Sequence, residues 1–329
     1  MRSVGLLLTL SAAFATAAEA AAPPTSLVVF GDSLVDAGNA FLATRNLPPQ
    51  FIAANPALGY FQGRFQEGPS YTDILSQRLY GSLTTPFLAG GQNFAVGGAR
   101  AAIPREFPGI PTPVPSLPQQ LGLYLSTTGG QIDPTGLYVI NFGNNDVGAL
   151  QSGDTGGLTP AQYVQTFVGN IGGSITALNQ LGARNFLVVG VPDPRDAEGV
   201  LLQSALNQGL DALTPTLAGG TNLYRFDAMA FFNRVRANPT NYGVDPNIGF
   251  DAPCIPTRLA GGLPVDCSGY FTFDGIHPVA RIQRRLAADI AFQFNIVSIP
   301  EPSSWAMMIA GFGLAGAGLR RRAAPVRFA

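Results

Sequence analysis

SLVVFGDSLVDAGN, residues 26–39, decides the fold. Ser26–Gly31 is a short β-branched run that ends in glycine, which reads as a buried strand. Ser33 follows it directly. A serine after a strand and before a helix stands at the carboxyl edge of a sheet, where backbone N–H groups at a helix start can face an oxyanion. This one stretch raises two expectations: a parallel sheet, and chemistry at its edge.

The rest of the chain repeats the same alternation. Leu137–Phe142 (LYVINF), Phe186–Val191 (FLVVGV) and Asn222–Phe226 (NLYRF) read as strands, and Asn93–Val96, closed by Gly97-Gly98, reads as another. Ser70 with Asp73 three residues later opens a helix by the capping-box rule. Thr159-Pro160 opens a second, continued by Tyr163, Phe167, Ile171, Ile175 and Leu178 at helical spacing. Gly169, Gly172 and Gly173 run against that helix. Further helices are expected around 195–213, 228–237 and 278–294. Apolar runs without strict alternation, separated by helices, predict an α/β chain with a parallel sheet covered on both faces. Residues 104–118 contain six prolines. They predict a stiff surface loop, or an excursion that lines a substrate groove.

What the composition lacks narrows the chemistry. All 19 basic residues are arginine, so P-loop, Schiff-base and Ser-Lys mechanisms are excluded. A single histidine, His277, excludes three-His and HExxH zinc sites. No metal and no cofactor are expected. Residues 21–302 carry 14 Arg against 19 acidic residues, a net charge of −5 with no basic patch, so nucleic acid is not an expected partner. The two cysteines, Cys254 and Cys267, are too few for a zinc ribbon. In an exported chain they are expected to pair, closing a loop that contributes about 3 kcal/mol in the chain-entropy model. Two free buried thiols are the alternative.

Serine is a poor nucleophile without a base, and only His277 can serve as an imidazole base for Ser33. Asp274 lies three residues earlier, a spacing that lets its carboxylate reach the imidazole. The chain order is then Ser, Asp, His.

Phe30-Gly31-Asp32-Ser33-Leu34, followed by Asp36, Gly38 and Asn39, resembles the first block of the GDSL or SGNH hydrolase family. Asn93-Phe94-Ala95-Val96-Gly97-Gly98-Ala99, Gly143-Asn144-Asn145-Asp146 and Asp274-Gly275-Ile276-His277-Pro278 resemble its later blocks, in the family's order. Gly63-Arg64-Phe65, Gly68 and Asp73 are similar to a block of the lipase-like branch. The resemblance extends over most of residues 26–294 and implies a three-layer α/β/α, flavodoxin-like fold. It also implies Ser33 as nucleophile, His277 as base, Asp274 as its orienting partner, and an oxyanion hole of Ser33 N–H, Gly98 N–H and the Asn145 amide. Asp32, Asn144 and Asp146 are expected to hold loops rather than substrate. The implied activity is hydrolysis of carboxylic esters through an acyl-enzyme. The implied substrate is a lipid or an acylated polysaccharide. An acetylesterase acting on extracellular polysaccharide, and a non-catalytic matrix protein on the same fold, are the alternatives.

Both ends read as addresses. Residues 1–20 carry Arg2, an apolar run and Ala18-Glu19-Ala20, the pattern of a cleaved export signal. Residues 299–329 hold Pro300-Glu301-Pro302, an apolar stretch from Trp305 to Leu319, then Arg320–Arg322. Fifteen residues at about 1.5 Å each are short for a bilayer core of about 30 Å. This tail resembles the PEP-CTERM sorting signal of Gram-negative bacteria. The resemblance implies a short transmembrane segment in the tail, processing by an exosortase-type enzyme and at least transient membrane anchoring at the cell envelope. Residues 21–298 between the two ends are expected to form one hydrolase domain.

Overall fold

β1 (Leu27–Gly31), β2 (Leu137–Asn141), β3 (Asn185–Val189) and β4 (Asn222–Phe226) pair in that order in a computed structural model, every pair parallel. The structure describes residues 23–192, 196–255 and 266–296, together with Phe312. The expected export signal at 1–20 and the sorting tail at 299–329 lie outside these residues. Among the described residues no helix is long and apolar enough to cross a membrane.

Successive strand side chains point to opposite faces, and here both faces are buried. Leu27, Val29, Leu137, Val139, Leu187 and Val189 pack on one side. They meet α2 (Tyr71–Tyr80), α7 (Ala228–Ala237) and α8 (Ala280–Phe294) through Leu75, Phe231 and Leu286. Val28, Phe30, Tyr138, Ile140, Phe186 and Val188 pack on the other side. There they meet α3 (Leu117–Thr127), α5 (Pro160–Gln180) and α6 (Ala197–Leu213) through Leu121, Phe167 and Leu206. The result is three layers, α/β/α, as the uninterrupted apolar runs predict.

The expected strand at Asn93–Val96 forms only an isolated ladder. Val29 N–H donates to Gln92 O at 3.0 Å, Phe94 N–H to Val29 O at 2.7 Å and Val96 N–H to Gly31 O at 3.1 Å. This segment lies along the edge of β1 opposite β2. Counting it, the spatial order is 2-1-3-4-5, the flavodoxin-like arrangement. Chain direction across the sheet reverses between β1 and β2, where ligand sites in such sheets sit.

α5 forms across Gly169, Gly172 and Gly173, because Thr159 and Gln162 make a capping box and Tyr163, Phe167, Ile171, Ile175 and Leu178 are all buried. Three helices carried no expectation: α1 (Asn39–Thr44), α3 and α4 (Asn144–Ser152). α1 is short and is capped by the Asp36 carboxylate rather than by its N-cap glycine. α3 has the Ser116–Gln119 capping box that the proline count obscured. Cys254 and Cys267 are joined as a disulfide.

Candidate active site

The turn after β1 is held from all sides. Asp32 Oδ1 accepts Leu34 N–H at 3.0 Å, and Asp32 O accepts the N–H groups of Val35 and Asp36. Gly31 lets this turn close. A Cβ there would stand 2.8 Å from Asn141 O and 2.4 Å from Val35 Cγ2. Gln120, on α3, accepts Gly31 N–H and donates to Gly31 O, both at 2.9 Å. It completes the end of β1, where Gly31 O also accepts Val96 N–H.

A buried polar scaffold fixes the next four residues. Asp36 accepts four backbone N–H groups, from Gly38, Asn39, Ala40 and Gly97, at 2.6–3.0 Å. Asn39 Nδ2 donates to Asn93 O and Ala95 O, while Asn93 Nδ2 donates to Val35 O. Arg64 Nη1 donates to Ala37 O at 3.1 Å and pairs in bidentate fashion with buried Asp73. The motif residues Asp36, Asn39, Arg64, Asp73 and Asn93 therefore brace the loops around the site.

Ser33 Oγ lies 2.7 Å from His277 Nε2, and His277 Nδ1 lies 2.8 Å from Asp274 Oδ2. Asp274 also accepts the N–H groups of Ile276 and His277 and the hydroxyl of Tyr60, at 2.9–3.1 Å. Burial alone would raise its pKa, but the hydrogen bond and charge of His277 and the backbone donors win, and the carboxyl sits below its ordinary value. An ionised Asp274 only accepts, so Nδ1 carries the imidazole proton and Nε2 faces Ser33 as an acceptor. Phe65 packs 4.9 Å from the His277 ring and against Gly97. Nothing in the sequence marks Tyr60 or Gln120 as partners of this array, since both act across more than 85 residues of chain.

Ser33, His277, Gly98 and Asn145 line one cleft of about 540 Å³. Gly98 has φ +86°, a left-handed conformation that favours glycine, and a Cβ there would stand 2.8 Å from the Phe107 ring. Asn145 lies in the first turn of α4 and donates from Nδ2 to Ala99 O at 3.0 Å. Asp146 holds the loop as expected, accepting Ala101 N–H, Ala102 N–H and the Tyr163 hydroxyl. Asn144 differs from expectation: it lines the cleft. The proline-rich 104–118 segment also differs from a bare surface loop. Its Phe107, Ile110, Pro113 and Val114 form one wall of the cleft, because Arg105 and Val114 pair back to back and turn the apolar side inward. Phe87, Leu88, Phe94 and Val96 form the facing apolar wall.

Asp32 is buried, and among the described residues its Oδ2 meets no hydrogen-bond partner. Burial raises its pKa from 3.8 to about 7. The folded chain therefore keeps a proton across this range that the unfolded chain releases, so this group makes stability fall as pH rises from about 4 to about 7. Asp32→Asn keeps the Oδ1 acceptor for Leu34 and flattens that part of the curve. Urea unfolding of both proteins at several pH values reads the difference; identical pH slopes refute it.

These features define an α/β/α chain with a hydrogen-bonded Ser-His-Asp array at the carboxyl edge of a parallel sheet. The chain belongs to the GDSL-like lipase/acylhydrolase family, whose model matches residues 27–290. A PEP-CTERM protein-sorting motif matches residues 298–322. GDSL esterase/lipase 5 of Arabidopsis thaliana is 29% identical over 195 residues, covering 51% of this chain and 49% of that protein. The chain thus spans about half the length of that relative. A second GDSL esterase/lipase of the same plant is 23% identical over 306 residues, covering 76% of this chain and 82% of its own. Among solved structures, LAE5, an α/β hydrolase enzyme from a lake metagenome, aligns with a TM-score of 0.45 at 13% identity, covering 83% of this chain and 96% of that one.

Proposed function

We propose that this protein is an exported serine hydrolase that cleaves carboxylic esters with an acyl group several carbons long. The observation that carries the reading is the unbroken hydrogen-bond series from Ser33 Oγ through His277 to Asp274, opening on a cleft with apolar walls. In this mechanism His277 Nε2 takes the Ser33 proton as Oγ attacks the ester carbonyl. The oxyanion forms against Ser33 N–H, Gly98 N–H and Asn145 Nδ2. His277 then protonates the leaving alcohol, and water releases the acid by the reverse sequence. Asp274 stabilises the imidazolium while it exists. The sorting motif at 298–322 supports export, processing by an exosortase-type enzyme and display at the envelope.

A fluorophosphonate probe tests the nucleophile: wild type labels and Ser33→Ala does not. Equal labelling of the two sinks the assignment of Ser33. p-Nitrophenyl esters of increasing length test the acyl group. Each methylene buried against Phe87, Phe94 and Phe107 contributes about 0.8 kcal/mol. kcat/KM therefore rises from acetate through butyrate to hexanoate. A collapse beyond acetate leaves the polysaccharide acetylesterase reading in its place. Absence of both labelling and hydrolysis leaves the non-catalytic matrix protein.

A further inference from the structure

We propose that Arg105 is a positioning residue for this hydrolysis, holding the Asn145 amide with its nitrogen turned toward the developing oxyanion. The inference rests on the reading of Ser33 and Asn145 given above. It comes from the proline-rich segment, which no block of the family motif includes.

Arg105 Nη1 donates to Asn145 Oδ1 at 3.2 Å, while Asn145 Nδ2 donates to Ala99 O at 3.0 Å. A guanidinium only donates and a backbone carbonyl only accepts. The two partners therefore fix which way the amide faces; exchanging O and N would set two donors together and two acceptors together. One Nδ2 proton goes to Ala99, and the second remains for the reacting oxygen. Without Arg105, only one hydrogen bond resists rotation of the amide.

Arg105 is itself held. Its backbone N–H donates to Val114 O at 3.1 Å and its carbonyl oxygen accepts Val114 N–H at 2.7 Å, closing a loop that contains Pro108, Pro111 and Pro113. Each proline fixes a φ angle, so the loop loses little freedom when the site forms. The guanidinium stacks 4.3 Å from the Phe107 centroid, and the same ring fills the space a Cβ on Gly98 would need, 2.8 Å from that position. One segment thus braces both donors that lie outside the Ser33 turn: Asn145 through Arg105, and Gly98 through Phe107.

Charge adds to orientation. Among the described residues Arg105 makes no ion pair. A cation on Oδ1 draws electron density through the amide and makes Nδ2–H a stronger donor, even with the Asp154 carboxylate acting on Arg105 from beyond ion-pair distance. This matters most when negative charge develops on the substrate oxygen, so the effect falls on kcat rather than on KM. Recognition of an anionic substrate group by Arg105 is a different use of the same cation, and it acts on KM.

Steady-state kinetics on neutral p-nitrophenyl butyrate, with the full chain, separate these cases. Arg105→Ala is expected to lower kcat about tenfold with KM within twofold, less than the ~10²–10³ of removing a donor outright. Arg105→Lys recovers part of the loss, since an ammonium restores a charged donor but not the planar fork. In an Asn145→Ala background, Arg105→Ala produces no further loss. Full additivity in the double variant overturns the inference, as does an Arg105→Ala enzyme with unchanged kcat. If Arg105→Ala melts early, Arg105→Lys carries the same comparison, and kcat loss without recovery of the Asn145 coupling again overturns it. Ser33→Ala is the control for the underlying site. Activity surviving there defeats the triad reading, whereas an inactive Ser33→Ala beside an unaffected Arg105→Ala defeats only the role of Arg105.

Discussion

His277→Ala is expected to lower kcat on p-nitrophenyl butyrate by about 10⁴–10⁶-fold, leaving the residual rate that oxyanion donors and binding supply alone. The size follows from the two roles that the proposed mechanism gives the ring. Nε2 sits 2.7 Å from Ser33 Oγ, close enough to take its proton during attack. Nδ1 sits 2.8 Å from Asp274, so the positive charge that arrives on the ring is compensated immediately. The chain holds no second histidine to substitute. The ring carries little of the fold. It lines the cleft although only 8% exposed, and the tight 271–279 turn is fixed by backbone bonds instead, with Phe273 N–H donating to His277 O and Val279 N–H to Phe271 O. Melting temperature should therefore change little while activity disappears. Steady-state assays with thermal melts on the same preparations check both halves, and retention of even a tenth of wild-type kcat contradicts the proposed mechanism.

Asp73→Ala is expected to destabilise the fold by about 3–5 kcal/mol, because removal of one partner leaves a buried charge uncompensated. Asp73 is fully buried and accepts six donors: Arg64 Nε and Nη2, the N–H and hydroxyl of Ser70, and the N–H and hydroxyl of Thr84. Arg64 is 3% exposed and has no water to turn to. Burial would raise the Asp73 pKa, but the Arg64 hydrogen bonds and charge outweigh it, and the carboxyl titrates below its ordinary value of 3.8. The sign follows from that depression. Asp73 contributes stability above about pH 4, and the contribution is lost as pH falls through the folded-state value. Urea unfolding at pH 7 and at pH 3 should show the gap between wild type and Asp73→Ala shrinking in acid. The double variant Arg64→Leu/Asp73→Leu should lose less than Asp73→Ala alone, since no charge is left stranded. A loss below about 1 kcal/mol at pH 7, the scale of a solvent-screened surface pair, would rule out a buried network here.

The family blocks were legible because each is short and local. Asp274 and His277 stand three residues apart, and the Asx turn of Asp32 closes within two, so sequence spacing alone brings those groups near one another. Strands β1 to β4 were legible because burial on both faces leaves an uninterrupted apolar run. The segment at 92–96 was less so: Val29 holds it by two hydrogen bonds, and its pairing depends on β1 rather than on its own residues. α1 and α4 were missed for a related reason. Gly38 and Gly143 stand where an N-cap side chain would be, and for α1 the capping acceptor is the carboxylate of Asp36. For the proline-rich 104–118 segment the sequence leaves surface loop and groove wall both open, because proline reports stiffness and says nothing about which side of the loop meets the cleft.

By itself the sequence determined the sheet type, the order of the motif blocks and the narrow set of groups able to act as nucleophile and base. Those properties depend on residue type, periodicity and absence, all of which are local or compositional. Only the tertiary structure decided that Tyr60 joins Asp274, that Gln120 finishes the end of β1, and that Arg105 reaches Asn145 from a loop 40 residues away. Such contacts depend on how distant segments pack, and single hydrogen bonds between them leave no period, spacing or composition in the chain from which they can be read.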